Sequence, residues 1–378
     1  MYRKIVVASD SFKGSLTSLE VAQSVEKAFK EVYPSCEVIK VNVADGGEGT
    51  MDALQQTLGG RKVSMSVSDP LGRPVQASYV ILDDGVTAVL EMSSASGLPL
   101  LSPEERNPSK TSTLGTGELI CDALSQGCRR FLVGIGGSAT NDAGMGMLHA
   151  LGYRFLDASG QELSPVGGSM VDVASIDMSS RNPYLDEAEF IVACDVKAPL
   201  FGPDGAAYVF APQKGADQQM VEALDQGLRH FASVSADETG HDYSSMEGSG
   251  AAGGLGYAFR QFLGARLERG VEMVLDAIHF DQIIQGADLV VTGEGRVDSQ
   301  TLTGKTPFGV AQHARRQDIP VVAIGGSVII DQFQAQLAGF MDALQVTPAG
   351  MPLEEAMKPE VAAENVYKTI KSFLNKYE

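Results

Sequence analysis

Short apolar runs, each followed by a loop with glycine and then a helical pattern, constrain the fold of this chain most. Residues 4–8 form such a run, and a capping box of Thr17 and Glu20 opens a helix behind it. Residues 37–43 form a second run, which a glycine-rich loop and a short helix follow. Strand, loop and helix repeated in this order predict a parallel, doubly wound sheet.

The middle of the chain has a different pattern. Three strand-like segments separated by turn residues predict an antiparallel meander at 62–68, 75–82 and 86–92. Further along, the patterns predict a helix over 218–232 and a polar, loop-like segment over 232–249. The middle therefore reads as a mixed α/β domain.

Buried-strand runs return near the end of the chain, at 288–292, 321–324 and 342–346. We therefore predict an α/β protein of two domains. A Rossmann-like, flavodoxin-like domain with a parallel sheet contains both termini, and a mixed α/β domain is inserted into it. The predicted ranges are 1–65 with 287–378 for the first domain and 66–286 for the second. We expect the active site in the cleft between them, a common place for ligands.

The charge of the chain excludes several classes of partner. Its 378 residues include 29 Lys and Arg against 48 Asp and Glu, a net charge of −19. Nonspecific binding to nucleic acid or to an anionic membrane needs a cationic surface. We therefore expect small-molecule partners, with no nucleic acid and no membrane. The four cysteines form no C-x-x-C pair and no secretory signal is recognisable, which predicts a cytoplasmic protein.

Glycine-bearing loops at the predicted strand ends contain the candidate binding residues, since open α/β sheets bind ligands beyond the carboxyl ends of their strands. In the loop 10–15, Lys13 could hold a phosphate or a carboxylate, although an ordinary loop with a solvated lysine is equally compatible. In the loop 45–50, Asp45 and Glu48 accompany three glycines. Carboxylates can take Mg²⁺ and glycine N–H groups can bind an anion, while acids capping a helix are the alternative.

The turn over 134–146 has two interpretations. Glycines and Ala139 imitate a dinucleotide fingerprint, and Asp157 ends the next strand about 20 residues on. This spacing favours a dinucleotide-dependent oxidoreductase using the 134–139 turn. However, Gly144 and Gly146 destabilise the first part of the following helix, and the dinucleotide fingerprint requires a stable helix there. A phosphate-binding loop with Asp142 near a metal fits better.

Three further segments carry candidate residues. Asp195, at the end of a predicted strand, could act as a general base or a metal ligand, or simply make a turn. The glycine run over 248–256 permits close approach of the backbone to a phosphate, with a flexible hinge as the alternative. In the loop that leaves the strand at 288–292, Arg296 is suited to bidentate recognition of a carboxylate or phosphate.

Taken in order, these segments resemble the bacterial type of glycerate kinase over essentially the whole chain. The segments that carry the resemblance are 10–15, 45–50, 107–108, 115–119, 136–142, 194–196, 212–215, 250–256 and 292–296. The resemblance implies phosphorylation of D-glycerate with ATP and Mg²⁺. It implies 2-phosphoglycerate as the usual product, with 3-phosphoglycerate as the alternative. The chain departs from the family pattern at Lys197, Ala198, Ala211 and Glu247.

The resemblance leads to an expected role for each candidate. We expect catalysis by Asp195, Lys13 and Arg296, and substrate binding by Ser11, Lys13, Asp45, Arg296 and Asp298. ATP phosphates are expected at Gly136, Gly137, Ser138, Gly253, Gly254 and Lys214, and Mg²⁺ at Asp45, Glu48 and Asp142. A monomer or homodimer is expected. The alternative outside the enzymes is a carboxylate-binding protein with a cleft between two domains.

Overall fold

The computed structural model describes residues 2–47 and 49–376. The chain divides into two compact units. The first unit comprises the described residues of Met1–Asp45, Asp52–Thr57 and Val274–Glu378, and the second those of Gly46–Met51 and Leu58–Met273.

The described residues form strands and helices in both units. In chain order, the strands are β1 (Lys4–Ser9), β2 (Glu37–Lys40), β3 (Arg61–Ser68), β4 (Pro74–Ile81), β5 (Thr87–Glu91), β6 (Arg130–Gly134), β7 (Arg154–Leu156), β8 (Ser175–Asp177), β9 (Glu189–Ala193), β10 (Arg266–Glu268), β11 (Leu289–Val297), β12 (Val321–Val328) and β13 (Asp342–Gln345). The α-helices are α1 (Ser18–Val32), α2 (Thr50–Leu58), α3 (Ser93–Ser96), α4 (Leu114–Ser125), α5 (Met145–Ala150), α6 (Ala206–Phe210), α7 (Gln218–Thr239), α8 (Leu255–Leu263), α9 (Gly270–Ala277), α10 (Phe280–Ile283), α11 (Thr306–Arg315), α12 (Gln332–Ala338), α13 (Leu353–Ala356) and α14 (Pro359–Lys376).

The first unit is built on a five-stranded sheet with the strand order β13-β12-β11-β1-β2. All of its strand pairs are parallel. This order is the flavodoxin-like one, so the predicted fold of the domain with both termini is confirmed. The central strands β1 and β11 each contain a run of buried Ile, Val or Leu residues, as expected for parallel strands covered on both faces.

Helix α1 shows how local sequence places an element on this sheet. The Thr17 side chain accepts a hydrogen bond from the Glu20 N–H, and the Glu20 carboxylate accepts one from the Thr17 N–H, which confirms the capping box. Val21, Val25 and Phe29 recur at helical spacing and are fully buried in the core of the first unit. The amphipathic pattern therefore determines which face of the helix packs on the sheet.

The second unit has a six-stranded mixed sheet with the order β10-β9-β6-β5-β4-β3. Strands β3, β4 and β5 form the predicted antiparallel meander, and β5, β6, β9 and β10 run parallel. This unit has its own hydrophobic core, in which Phe131 and Phe190 stack with ring centroids 4.7 Å apart. The predicted mixed α/β character of the inserted segment is confirmed.

Some elements differ from the sequence-based expectation. Residues 232–239, predicted as loop, form the last turns of α7, because Ala232 and Ser235 continue its buried face. Strand β11 continues through Gly293 and Gly295 to Val297, because its backbone keeps pairing with β12. Strand β3 pairs with β4 from Arg61 onward, so residues 61–65 belong to the second unit's sheet. Among the described residues, no helix is long and apolar enough to cross a membrane.

Candidate active site

A cavity of about 770 Å³ lies in the first unit, at the carboxyl ends of its parallel strands. Its lining comes from the loops after β1 and β2, from the end of β11 and the loop that follows, from the ends of β12 and β13, and from the segment after β13 with α13 and α14. Strand order reverses between β1 and β11, which pair up to Ser9 and Gly293. Ligands of open α/β sheets bind outside the carboxyl ends at such a switch point, so the cavity is the candidate active site.

All five residues predicted to bind the substrate line this cavity, namely Ser11, Lys13, Asp45, Arg296 and Asp298. The Lys13 Nζ lies 3.9 Å from an Asp45 carboxylate oxygen, and the Arg296 Nε lies 3.2 Å from an Asp298 carboxylate oxygen. The side chains of Lys13 and Arg296 are 78% and 63% exposed. Two cations are therefore accessible to an anionic ligand in the same cavity.

Two cavity carboxylates were missed by the sequence analysis, Asp10 and Glu294. Because Ser9 pairs with Gly293, Asp10 and Glu294 are the next residues on two neighbouring strands. The Ser11 N–H donates to Asp10 at 2.6 Å, and the Thr301 hydroxyl donates to Glu294 at 2.5 Å. The signal for finding them was their place two residues after the apolar runs 4–8 and 288–292, which predict two strands of one parallel sheet.

Burial shifts the protonation of both carboxyl groups. Burial raises the pKa of Asp10 to about 6, and the neighbouring Asp45 charge adds to the rise. Burial also raises the pKa of Glu294, while the Thr301 hydrogen bond and the Lys305 charge, with its Nζ 3.5 Å away, oppose the rise. Carboxyl groups with pKa values moved toward neutrality are suited to proton transfer, and they occur frequently at functional sites.

In the second unit, the Asp142 carboxylate accepts hydrogen bonds that hold a turn of the chain in place. Its side chain is fully buried. One carboxylate oxygen accepts from the Thr113 N–H and hydroxyl, both at 2.8 Å, and from the Gly146 N–H at 3.1 Å. The other oxygen accepts from the Gly144 N–H at 3.1 Å. These contacts anchor the turn before α5 and speak against the predicted role of Asp142 in holding Mg²⁺.

Lys214 supports the same turn from inside the second unit. Its Nζ donates to the Ser138 hydroxyl at 2.7 Å and to the Thr140 carbonyl at 2.6 Å. Burial lowers the pKa of Lys214 to about 7, and the Asp142 charge opposes the lowering. Lys214 therefore positions the turn, which differs from the predicted direct contact with ATP. Of the predicted phosphate-binding residues, Gly136 and Gly137 are exposed.

Gly253 and Gly254 are required by packing. Both have positive φ, +70° and +92°. A Cβ on Gly253 would lie 2.1 Å from the Thr140 carbonyl oxygen, and one on Gly254 would lie 2.8 Å from the Ala143 Cα. The loop does approach another group closely, as predicted. That group is a neighbouring backbone segment of the same unit, whereas a phosphate was the predicted neighbour.

Asp195 follows β9 and is exposed. The Gly270 N–H donates to one of its carboxylate oxygens at 3.3 Å. It stays a candidate general base, in the second unit. The predicted metal ligand Glu48 lies outside the described residues.

Comparison with known proteins agrees with the resemblance seen in the sequence. The family model of the glycerate kinase family matches residues 5–378. The chain belongs to the glycerate kinase family. It is 49% identical to a glycerate kinase of Bacillus subtilis (strain 168) over 366 residues, 97% of this chain and 95% of that protein. It is 44% identical to a glycerate 2-kinase of Escherichia coli (strain K12) over 355 residues, 94% of this chain and 93% of that protein.

A solved structure supports the same assignment to the glycerate kinase family. A crystal structure from Salmonella typhimurium LT2, described as that of a glycerate kinase 2, matches with a TM-score of 0.90 at 44% identity. The match covers 100% of this chain and 98% of that chain. Membership in the glycerate kinase family favours a kinase over the dinucleotide-dependent oxidoreductase considered for the 134–139 turn.

The resemblance implies Mg²⁺, and the cavity contains carboxylates that could hold it. Among the described residues, no group of three or more His, Cys, Asp or Glu side chains is arranged to hold a metal ion. Mg²⁺ bound with a nucleotide, however, is usually held by one or two carboxylates together with the substrate phosphates. Asp45 and Asp10 line the cavity, and the Asp45 charge adds to the rise in the pKa of Asp10, an effect that a bound cation would relieve. The donor set therefore fits a Mg²⁺ that arrives with ATP.

Proposed function

We propose that this protein is a glycerate 2-kinase, which transfers the γ-phosphoryl group of ATP to the C2 hydroxyl of D-glycerate. The products are 2-phospho-D-glycerate and ADP. The observation that carries the proposal is the cavity at the switch point, where exposed Lys13 and Arg296 lie beside partly buried carboxylates. The Escherichia coli relative, named a glycerate 2-kinase, supports the position of phosphorylation.

Phosphoryl transfer depends mainly on positioning and on neutralisation of charge. Lys13 and Arg296 neutralise the glycerate carboxylate and the transferring phosphoryl group. The C2 oxygen forms a bond to the γ-phosphorus as the bond from that phosphorus to the β,γ-bridging oxygen breaks, and ADP leaves. The hydroxyl proton passes to a carboxylate. Asp195 is the candidate from the sequence, and Asp10 is the candidate from the cavity.

The remaining site residues serve ATP. The N–H groups of Gly136 and Gly137 and the Ser138 hydroxyl are candidates for its phosphates, with Ser138 oriented by Lys214. Asp45 is the candidate ligand of Mg²⁺, which neutralises phosphate charge when bound.

We also propose a cytoplasmic enzyme, as a monomer or homodimer, with D-glycerate and ATP as its partners. All four cysteines are free thiols, which supports a reducing compartment.

An assay of ADP release tests the proposed reaction. The purified protein is incubated with D-glycerate, ATP and Mg²⁺, and we expect ADP to form only when all three are present. Adding enolase then tests the position of transfer, because only 2-phosphoglycerate gives phosphoenolpyruvate directly. Absence of ADP would refute the kinase, and ADP without phosphoenolpyruvate would indicate transfer to the C3 hydroxyl.

Variants test the roles of individual residues. We expect Lys13→Ala and Arg296→Ala to lower kcat/KM by about 10²- to 10³-fold, as the loss of a group that stabilises transition-state charge does. Asp10→Asn and Asp195→Asn each remove one candidate general base. The variant that lacks the true base should have a kcat lowered by about 10²- to 10⁴-fold. Lys368→Ala, an exposed α14 lysine outside the cavity lining, is the matched control. A variant with near wild-type kcat/KM would overturn that residue's role.

A further inference from the structure

The first unit's cavity is larger than glycerate requires. Its volume of about 770 Å³ falls in the range that holds drug-sized ligands, roughly 300–1,000 Å³. Glycerate has a three-carbon skeleton, so the same cavity has room for a second and larger molecule.

The chemical character of the cavity changes from one part of its lining to another. The charged lining residues come from the loops after β1 and β2, from the end of β11, and from the loop after it. Among the described lining residues from Val346 to Asn365, none carries a charge, and Val346, Pro348, Met351 and Leu353 are apolar. We call these lining residues the uncharged wall. A ligand that fills the cavity would therefore meet charged groups, including the cations Lys13, Arg296 and Lys305, at one part and largely apolar surface at another.

The uncharged wall offers apolar surface that a flat ring could cover. Leu353 is 73% exposed, and Met357 is also among the exposed large hydrophobic residues. Methionine side chains adapt their shape and make favourable contacts with aromatic rings. Burial of such side chains beneath a ring is favourable in proportion to the apolar area covered.

Thr347 and Asn365 have the two polar side chains among the residues of the uncharged wall. Asn365 of α14 lines the cavity and is only 7% exposed. Its Nδ2 donates to the Met351 Sδ at 3.5 Å, and a thioether is a weak acceptor. A carboxamide can donate and accept at once, which matches the amino group and ring nitrogen at the edge of an adenine.

We propose that the uncharged wall is the adenine subsite for ATP and that the Asn365 amide recognises the edge of the base. The transferring phosphoryl group then lies at the charged part of the same cavity, beside the Lys13 and Arg296 proposed to neutralise it. This inference rests on the proposed function and adds the place and the specificity of nucleotide binding in the first unit.

Binding of ADP and GDP by the intact enzyme, measured by titration calorimetry, tests the subsite without turnover. We expect the wild type to prefer ADP and Asn365→Leu to weaken ADP binding by about 10- to 100-fold, while the KM for D-glycerate stays unchanged. Asn365→Asp should shift the preference toward GDP, because a carboxylate accepts from the N–H groups of guanine. Asn42→Leu, which replaces an asparagine outside the cavity lining, is the control.

A second variant leaves Asn365 unchanged, because substitution of this buried residue could affect folding. Leu353→Asp changes an exposed side chain of the wall and should weaken ADP binding by about 10-fold or more. Leu337→Asp, at a 64% exposed position of α12 outside the lining, should leave ADP binding unchanged. If the enzyme forms ADP from ATP and glycerate but both wall variants bind ADP like the wild type, the subsite is refuted and the kinase stands. If no ADP forms with any variant or the wild type, the proposed function itself fails.

Discussion

Asp10 is the cavity residue whose charge has the clearest consequence for stability. Burial raises its pKa from 3.8 to about 6, with further contributions from Asp45 and Glu294, while Lys13 and the Ser11 N–H oppose the rise. Between these pKa values the folded chain binds more protons than the unfolded chain does. The free energy of unfolding therefore falls as pH rises through this window, and the full cost of the ionised carboxylate is present above about pH 6.

Asp10→Asn tests this sign directly, because asparagine keeps the shape and removes the charge. We expect the variant to raise the free energy of unfolding by about 1–3 kcal/mol near neutral pH, and the gain to disappear as pH falls toward about 4. Urea denaturation with a chelator and without substrates measures it, with exposed Asp204→Asn as the control. A gain of equal size at both pH values would contradict the assignment to Asp10 ionisation.

At the scale of elements, glycine has different roles in two loops of the second unit, the loop before α8 and the turn after β6. Gly253 adopts positive φ where the loop before α8 contacts the Thr140 carbonyl, so no side chain fits there. Gly136, by contrast, has no heavy atom within 4 Å of where a Cβ would stand. The glycines of these loops thus include residues needed for packing and residues that leave the backbone open to a ligand.

The contrast between these glycines predicts different outcomes for the same substitution. Gly253→Ala should lower the free energy of unfolding by about 2–4 kcal/mol, because it adds both left-handed strain and a steric overlap. Gly136→Ala should change it by less than about 1 kcal/mol. Chemical denaturation of both variants measures the difference. Equal destabilisation would show that Gly253 does not need its close approach to Thr140.

The local sequence pattern was sufficient to predict the elements that residues close in sequence stabilise. The capping box placed the start of α1, and alternating residues with turn signals placed the meander. The continuation of β11 through Gly293 and Gly295 could not be predicted, because glycine by itself indicates a loop. Pairing with β12, a contact distant in sequence, keeps these residues in the strand.

At the scale of the whole molecule, the net charge of −19 opposes both anionic substrates. Capture must therefore depend on local groups such as Lys13 and Arg296. We expect kcat/KM for D-glycerate to rise as ionic strength increases from about 0.01 to 0.1 M at constant free Mg²⁺. Salt shortens the Debye length from about 30 to 10 Å and screens the distant charges first. A steady fall in kcat/KM would show that the local cations already dominate the field that glycerate experiences.

By itself, the sequence determined the α/β class, the flavodoxin-like domain, the meander, the family, and the strand-end residues Lys13, Asp45 and Arg296. Only the tertiary structure decided that Asp10 stands next to Glu294, because the register of β1 on β11 joins segments more than 280 residues apart. It also distinguished Asp142, which is fully buried with both carboxylate oxygens hydrogen-bonded, from Asp10, which is half-buried at a cavity. Both aspartates lie in a loop between a strand and a helix, and burial depends on neighbours that are distant in the sequence.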